Sequence, residues 1–250
     1  MPWDLLHQSV IGTAHLKDGR PCQDHSYGLV TRSAKDDILV VACADGAGSA
    51  SHSDLGARIA CETIVQCVCE RLDAGFPLSK LSADEITKGF QSVRARIERE
   101  AAHLDIPSRE LACTLLLVVA GTVDTICAQV GDGAIVIRNG DAFETAFWTD
   151  GEEELNLTHF VTEAQMERHL QFKRTIATDD VALMTDGLQL LALDFGTRSA
   201  HPGFFHPMFK AMRAAESCAD LVVPFRSFLD SPDVNSRTDD DKTLVLAMRR

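Results

Sequence analysis

At 250 residues, with 45% hydrophobic and 24% charged side chains, the chain is long and apolar enough to bury a substantial core and too ordinary in balance for extensive disorder. Its 24 Lys and Arg against 37 Asp and Glu leave a formal charge of −13, which repels a phosphate backbone and argues against nucleic acid as a partner. No segment has the apolar length to span a bilayer, and the opening MPWDLLHQSV lacks a basic region followed by an apolar stretch, so a cytoplasmic protein without membrane contact is expected.

In chain order, residues 8–14, 25–31 and 37–44 read as strands, the last nearly all apolar and so covered on both faces. Two helices follow, over 54–72 with a stripe of Leu55, Ile59, Ile64, Val68 and Leu72, and over 83–104 with Ile86, Phe90, Val93, Ile97, Ala101 and Leu104. Ser82 with Glu85 three residues on forms a capping-box start for the second. Strands at 112–120, 123–130, 133–138 and 142–147 are separated by the turn signals Gly121-Thr122 and Asn139-Gly140, which argue for antiparallel pairing. The acidic, aperiodic segment 148–165, with Asp150, Glu152, Glu153 and Glu154, reads as an exposed flap-like loop. Strands at 171–177 and 180–185, helices at 203–213 and 217–229, the latter interrupted by Pro224, and a buried strand at 242–248 complete the chain. Antiparallel groups broken by helix pairs favour two packed sheets flanked by helices over a doubly wound parallel sheet. The eight cysteines form no C-x-x-C pair and read as reduced core thiols; a zinc site at Cys67 and Cys69 would need an unusual spacing, with one residue between the ligands, and has no His placed near it.

Three apolar stretches run straight into an Asp-Gly pair: ILVVACADG at Asp45 and Gly46, TICAQVGDG at Asp132 and Gly133, and VALMTDG at Asp186 and Gly187. A buried strand ending in aspartate sets a carboxylate at the sheet edge, and the glycine behind it permits a sharp turn or a close approach. Asp24 and the run Asp239, Asp240, Asp241 add acids beside two further strands. Singly, each is an ordinary strand end and turn. Together they offer hard oxygen ligands from five separated segments, which suit magnesium or manganese, and no cluster of His or thiolate invites zinc or copper.

The ordered motifs GTAHLKDGRPCQD (Gly12 to Asp24), ADGAGSASHSDLGA (Ala44 to Ala57), CTLLLVV from Cys113, VGDGAIV from Val130, LMTDGL from Leu183 and NSRTDDDKTLVLA (Asn235 to Ala247) span nearly the whole chain. Their order resembles the metal-dependent phosphatases of the protein phosphatase 2C type, in a bacterial-like branch with G-x-x-H-x-x-x-G-x-P-x-Q-D near the start. The resemblance implies a single domain over 1–250, an α+β four-layer α-β-β-α sandwich of two mainly antiparallel sheets flanked by helix pairs. It also implies two Mg2+ or Mn2+ ions at one end of the sheets. By the same resemblance Asp45 bridges both ions and the Gly46 carbonyl completes one sphere. Asp186 and Asp240 complete the first ion, Asp240 being chosen because D-[ND]-x-T fits Asp240, Asp241, Lys242 and Thr243. Asp24 sits near the second ion directly or through water, and Asp132 helps hold a third, weaker cation. The implied reaction is hydrolysis of a phosphoserine or phosphothreonine in a phosphoprotein by direct attack of a metal-bridging water, without a phospho-enzyme. A cognate serine/threonine kinase would be its counterpart; the sequence leaves oligomeric state open.

Many family members carry a phosphate-gripping arginine ahead of the first acid motif, and Arg20 is the nearest candidate here, by a bidentate fork. His15 holds a fixed place in the branch and either contacts phosphate as a catalytic residue or is a strand histidine with a satisfied hydrogen bond. Some relatives carry a histidine after the D-G of the second motif as leaving-group acid; this chain has Ala47, with His52 one loose substitute. Ser51 or Ser53 reads as a simple helix N-cap. Two rival readings stand beside the phosphatase: a pseudophosphatase acting as a regulatory scaffold, against which the intact acids argue, and a phosphatase of small phosphorylated metabolites.

Overall fold

The unbroken apolar runs in the sequence arise because the strands that carry them are covered on both faces. The computed structural model describes residues 2–33, 36–148 and 158–250, and among these two five-stranded sheets form, antiparallel throughout. One is ordered β2 (His25–Ser33), β3 (Asp36–Ala44), β4 (Leu115–Ala120), β5 (Asp124–Val130), β8 (Gln171–Ile176). The other is ordered β1 (Trp3–Val10), β12 (Lys242–Arg249), β9 (Asp180–Met184), β6 (Ala134–Asn139), β7 (Ala142–Thr145).

Side chains alternate between faces with the strand period of two. In β3, Leu39, Val41 and Cys43 meet Val181 and Leu183 of β9 and Val245 of β12 in a core between the sheets. Val40, Ala42 and Ala44 instead face α2 (Ser53–Asp73) and α3 (Ala83–His103). On the other side, Leu244, Leu246 and Met248 of β12 pack with residues of α5 (Pro202–Ala214) and α6 (Val222–Leu229). The layers are therefore helix, sheet, sheet, helix, as the motif order implies.

The Ser82 cap is present, its Oγ accepting from Glu85 N at 3.4 Å. The reciprocal half of the box is absent, because the Glu85 carboxylate pairs with Lys88 and Arg71 and Ser82 N bonds to the Lys80 carbonyl. At α2 the cap position is His52, without a side-chain cap bond. Ser51 Oγ donates to Glu110, and Ser53 Oγ to the Ala50 carbonyl, so neither serine is the N-cap expected from sequence.

Four further expectations change. The strand expected at 8–14 ends at Val10, and α1 (Thr13–Asp18) follows, carrying His15. Gly12 is itself extended (φ −72°, ψ 151°) as the N-cap of α1, and its missing Cβ admits the Asp240 backbone, whose carbonyl carbon a Cβ there would meet at 2.3 Å. The helix expected from 217 begins at Val222 after a 3-10 turn, which puts Pro224 in the first turn, where a missing N–H costs nothing. The strand expected from 112 starts at Leu115, after an isolated bridge between Gly46 and Cys113. Of the segment 148–165, Asp150, Glu152, Glu153 and Glu154 lie outside the described residues; from Thr158 onward it is docked, with Val161 fully buried and its N–H on the Cys113 carbonyl at 2.9 Å. Among the described residues no helix is long and apolar enough to cross a membrane.

Candidate metal centre

Register brings the acids to one end of both sheets. His25 pairs with Ala44, so Asp24 before β2 and Asp45 after β3 share an edge. Met184 pairs with both Leu244 and Ala134, so the turn holding Asp186, the entry to β12 holding Asp240, and the β5–β6 turn holding Asp132 share the facing edge. The strand ends are locked by short bonds: Thr114 N donates to the Asp45 carbonyl at 2.8 Å, Asp45 N to Thr114 Oγ1 at 2.9 Å, and Thr243 N to Thr185 Oγ1 at 3.0 Å.

Carboxylate oxygens of Asp45, Asp132 and Asp186 lie within 4.8 Å of one another. They open into a cleft of about 430 Å³ that Gly46, Asp239, Asp240, His15 and Arg20 also line. Asp24 is brought near but not into the cleft; it is 6% exposed, and its Oδ2 accepts from Thr185 Oγ1 at 2.7 Å across the two sheets. Arg20 donates from Nη1 to the Gly48 carbonyl and from Nη2 to Asp18, both at 3.1 Å, and its buried Nε has no protein partner among the described residues. His52 does not line the cleft; its Nδ1 meets Ser51 Oγ at 2.8 Å. A larger cavity of about 890 Å³ beside α5 and α6 is lined mostly by hydrocarbon and stands apart from the acids.

Three participants escape a reading of the sequence. Asp241, 2% exposed, accepts from Gly12 N at 2.6 Å, Gln23 N at 2.6 Å and His15 Nδ1 at 2.8 Å, clasping the first motif to the last. Thr158 donates to Asp132 Oδ2, and Phe160 forms part of the cleft wall. The triple-acid run marks Asp241 as an acid near the site but not as a hydrogen-bond hub; a threonine and a phenylalanine beside an acidic stretch carried no signal.

A family model of protein phosphatase 2C matches residues 11–224. The chain belongs to the protein phosphatase 2C family. It is 34% identical over 254 residues to serine/threonine-protein phosphatase 3 of Escherichia coli (strain K12), with 99% of both chains covered. Family and relative together make it a phosphoprotein phosphatase. Its fold is similar to a bacterial serine phosphatase (TM-score 0.60, 13% identity, 100% of this chain and 98% of that one). It is also similar to the catalytic domain of serine threonine protein phosphatase PstP in complex with two manganese ions (TM-score 0.61, 16% identity, 98% and 97% covered).

The donor set fits the divalent ions that phosphatase 2C membership implies. Two like charges about 4 Å apart repel by about 4 kcal/mol at an effective dielectric of about 20. Burial, then the charges of Asp24, Asp186, Asp240 and Asp132, raises the Asp45 carboxyl well above the usual carboxylate range. Burial, then Asp132 and Asp240, lifts Asp186 to about 6. Burial is also the largest cause holding Asp24 up at about 8. Asp24 Oδ1 and Asp132 Oδ1 are buried without a protein partner among the described residues. Dehydrated carboxylates with orphaned oxygens are what a hard cation requires and what a purely structural turn avoids.

Proposed function

We propose that this phosphatase hydrolyses phosphoserine and phosphothreonine in proteins with two Mg2+ or Mn2+ ions, acting in the cytoplasm as one catalytic domain. The observation that carries the reading is the convergence of Asp45, Asp132 and Asp186 oxygens within 4.8 Å in a cleft that also holds Arg20 and His15. Asp45, Asp186 and Asp240, with the Gly46 carbonyl, would hold the pair of ions, and Asp132 would hold a third, weaker cation. Asp24, behind the cleft wall, acts through water. Ions held there would lower the pKa of a water nucleophile and screen the charge on the phosphoryl oxygens.

The chain's own residues hold the substrate. Arg20, fixed by Gly48 and Asp18, grips a phosphoryl oxygen at the mouth, and its fork suits two oxygens at once. His15 has Nδ1 committed to Asp241, which leaves Nε2 as the ring nitrogen for a ligand in the cleft. Ala47 offers no proton to a leaving alkoxide, so the cleft does not use the acid that follows D-G in some relatives. A serine/threonine kinase must make the phosphoester consumed here.

Metal-dependent hydrolysis of p-nitrophenyl phosphate and of a phosphopeptide tests the reading. The wild-type chain turns over both with Mn2+ or Mg2+, and Asp45→Asn lowers kcat at least about 100-fold, as loss of about 3 kcal/mol of transition-state stabilisation would. A chain inert at every metal concentration would be the scaffold that the intact acids argue against, and preference for sugar phosphates over phosphopeptides would move it to metabolite substrates.

A further inference from the structure

Outside the acidic cleft, the turn from Thr158 to His169 carries a second convergence of ligands. One ligand atom each from His159, Glu163 and His169 lie within 4.8 Å of one another. His159 Nδ1 is 3.1 Å from Glu163 Oε2, and His169 Nε2 is 4.0 Å from the same oxygen. The two imidazoles stack with centroids 3.4 Å apart and planes 13° from parallel. We propose that His159, Glu163 and His169 form a binding site for a single zinc ion, separate from the magnesium or manganese centre.

Backbone hydrogen bonds hold these side chains in place. Phe160 N donates to Glu163 Oε1 at 2.9 Å, Glu163 N to the Phe160 carbonyl at 3.1 Å, and His169 N to the Met166 carbonyl at 2.9 Å. Val161 and Met166 anchor the turn in the core, and Arg94 Nη1 of α3 holds the Ala164 carbonyl at 2.9 Å. With Oε1 occupied by Phe160, only Oε2 is left to face both rings. At 4.0 Å the His169 nitrogen is beyond hydrogen-bond reach of it, so one carboxylate oxygen serves two imidazoles poorly. A cation that accepts both nitrogen lone pairs and the carboxylate satisfies all three, once the rings splay from their parallel stack so that each lone pair aims at it.

Donor type selects the ion. Two imidazoles and one carboxylate suit zinc, whereas the all-oxygen cleft suits magnesium or manganese. The sequence hides the site because the three residues are spread over a segment with no C-x-x-C or H-x-x-x-H signature. All three side chains are a quarter to a third exposed, which leaves the site open for entry and for a water as fourth ligand. An ion here would cross-link the two ends of a turn in which Thr158 bonds Asp132 and both Thr158 and Phe160 line the cleft. That link to turnover rests on the phosphatase reading; the binding itself does not.

Cobalt(II) titration of the full chain, followed by its visible absorption and by displacement with Zn2+, tests the site. An Asp45→Asn/Asp240→Asn chain, in which the cleft is disabled, is expected to keep one equivalent of tetrahedral Co2+ absorption that Zn2+ abolishes. His169→Gln and, independently, His159→Gln in that background are expected to lose it. In the otherwise wild-type chain the same His substitutions are expected to keep the Mn2+-induced rise in Tm, which establishes that they fold. Unchanged Co2+ absorption in both His variants, or no equivalent at all once the cleft is disabled, would overturn the site. A wild-type chain that binds this Co2+ but hydrolyses no phosphoester with Mn2+ or Mg2+ would instead overturn only the catalytic reading.

Discussion

Asp241 and Asp240 are neighbours with opposite tasks. Asp240 lines the cleft, whereas Asp241 turns inward and receives Gly12 N, Gln23 N and His15 Nδ1. Charge-assisted bonds to a buried carboxylate are the strong kind, and removing the acceptor leaves its donors dehydrated and unpaired. Asp241→Ala is therefore expected to cost about 3–5 kcal/mol in urea unfolding, the range seen when one partner of a buried charged pair is lost. A cost under about 1 kcal/mol would show that the clasp is not what holds the first motif against the last. The family pattern D-[ND]-x-T pointed to Asp240 as the cleft residue; nothing in a run of three aspartates says that the next one is a hydrogen-bond hub, because that follows from Gly12 and Gln23 arriving more than 200 residues away in sequence.

At the scale of elements, the glycine after each strand-end aspartate proves to serve backbone packing. A Cβ on Gly187 would stand 2.1 Å from the Asp241 carbonyl oxygen, and one on Gly46 would stand 2.7 Å from the Gln23 carbonyl oxygen. Each acid is thus delivered by a turn pressed against a neighbouring segment's backbone. Gly187→Ala is expected to cost at least the 1–3 kcal/mol typical of overpacking (about that order). Gly203→Ala, in α5 with open space around it, is expected to be neutral or stabilising by a few tenths to about 1 kcal/mol. Equal effects at the two sites, measured by thermal unfolding, would contradict this account. The β3, β4 and β12 runs and the α2 and α3 stripes were legible because burial alone dictates their pattern. The boundary between β1 and α1 was not. Trp3 of β1 faces the intersheet core and Leu6 and Val10 face the outer layer, so no period-two signal survives, and the strand stops where Asp240 crosses Gly12. Within the segment read as an exposed loop, residues 158–165 are docked, and the sequence does not show it because Val161, their one fully buried anchor, does not stand out in an aperiodic stretch.

For the molecule as a whole, the acid cluster makes folding and metal binding one problem in linkage. Without ions, Asp186 holds its proton up to about 6 and Asp24 up to about 8, mainly because burial penalises the charged forms. In the unfolded chain both ionise near the ordinary value of about 4. Between those limits the folded state binds more protons than the unfolded state, so unfolding releases protons and stability falls as pH rises through the window. Divalent ions bind the deprotonated carboxylates, so their stabilisation runs the other way and grows with pH. In chelator, Tm is therefore expected to drop between about pH 5 and about pH 8 by more than in an Asp24→Asn/Asp186→Asn chain, which lacks both titrating groups. Saturating Mn2+ is expected to raise Tm more at the higher pH, and Asp45→Asn or Asp240→Asn to lose most of that rise. A metal-induced shift of equal size at both pH values, or one that survives either substitution intact, would mean that the ions stabilise the chain somewhere other than at these buried acids.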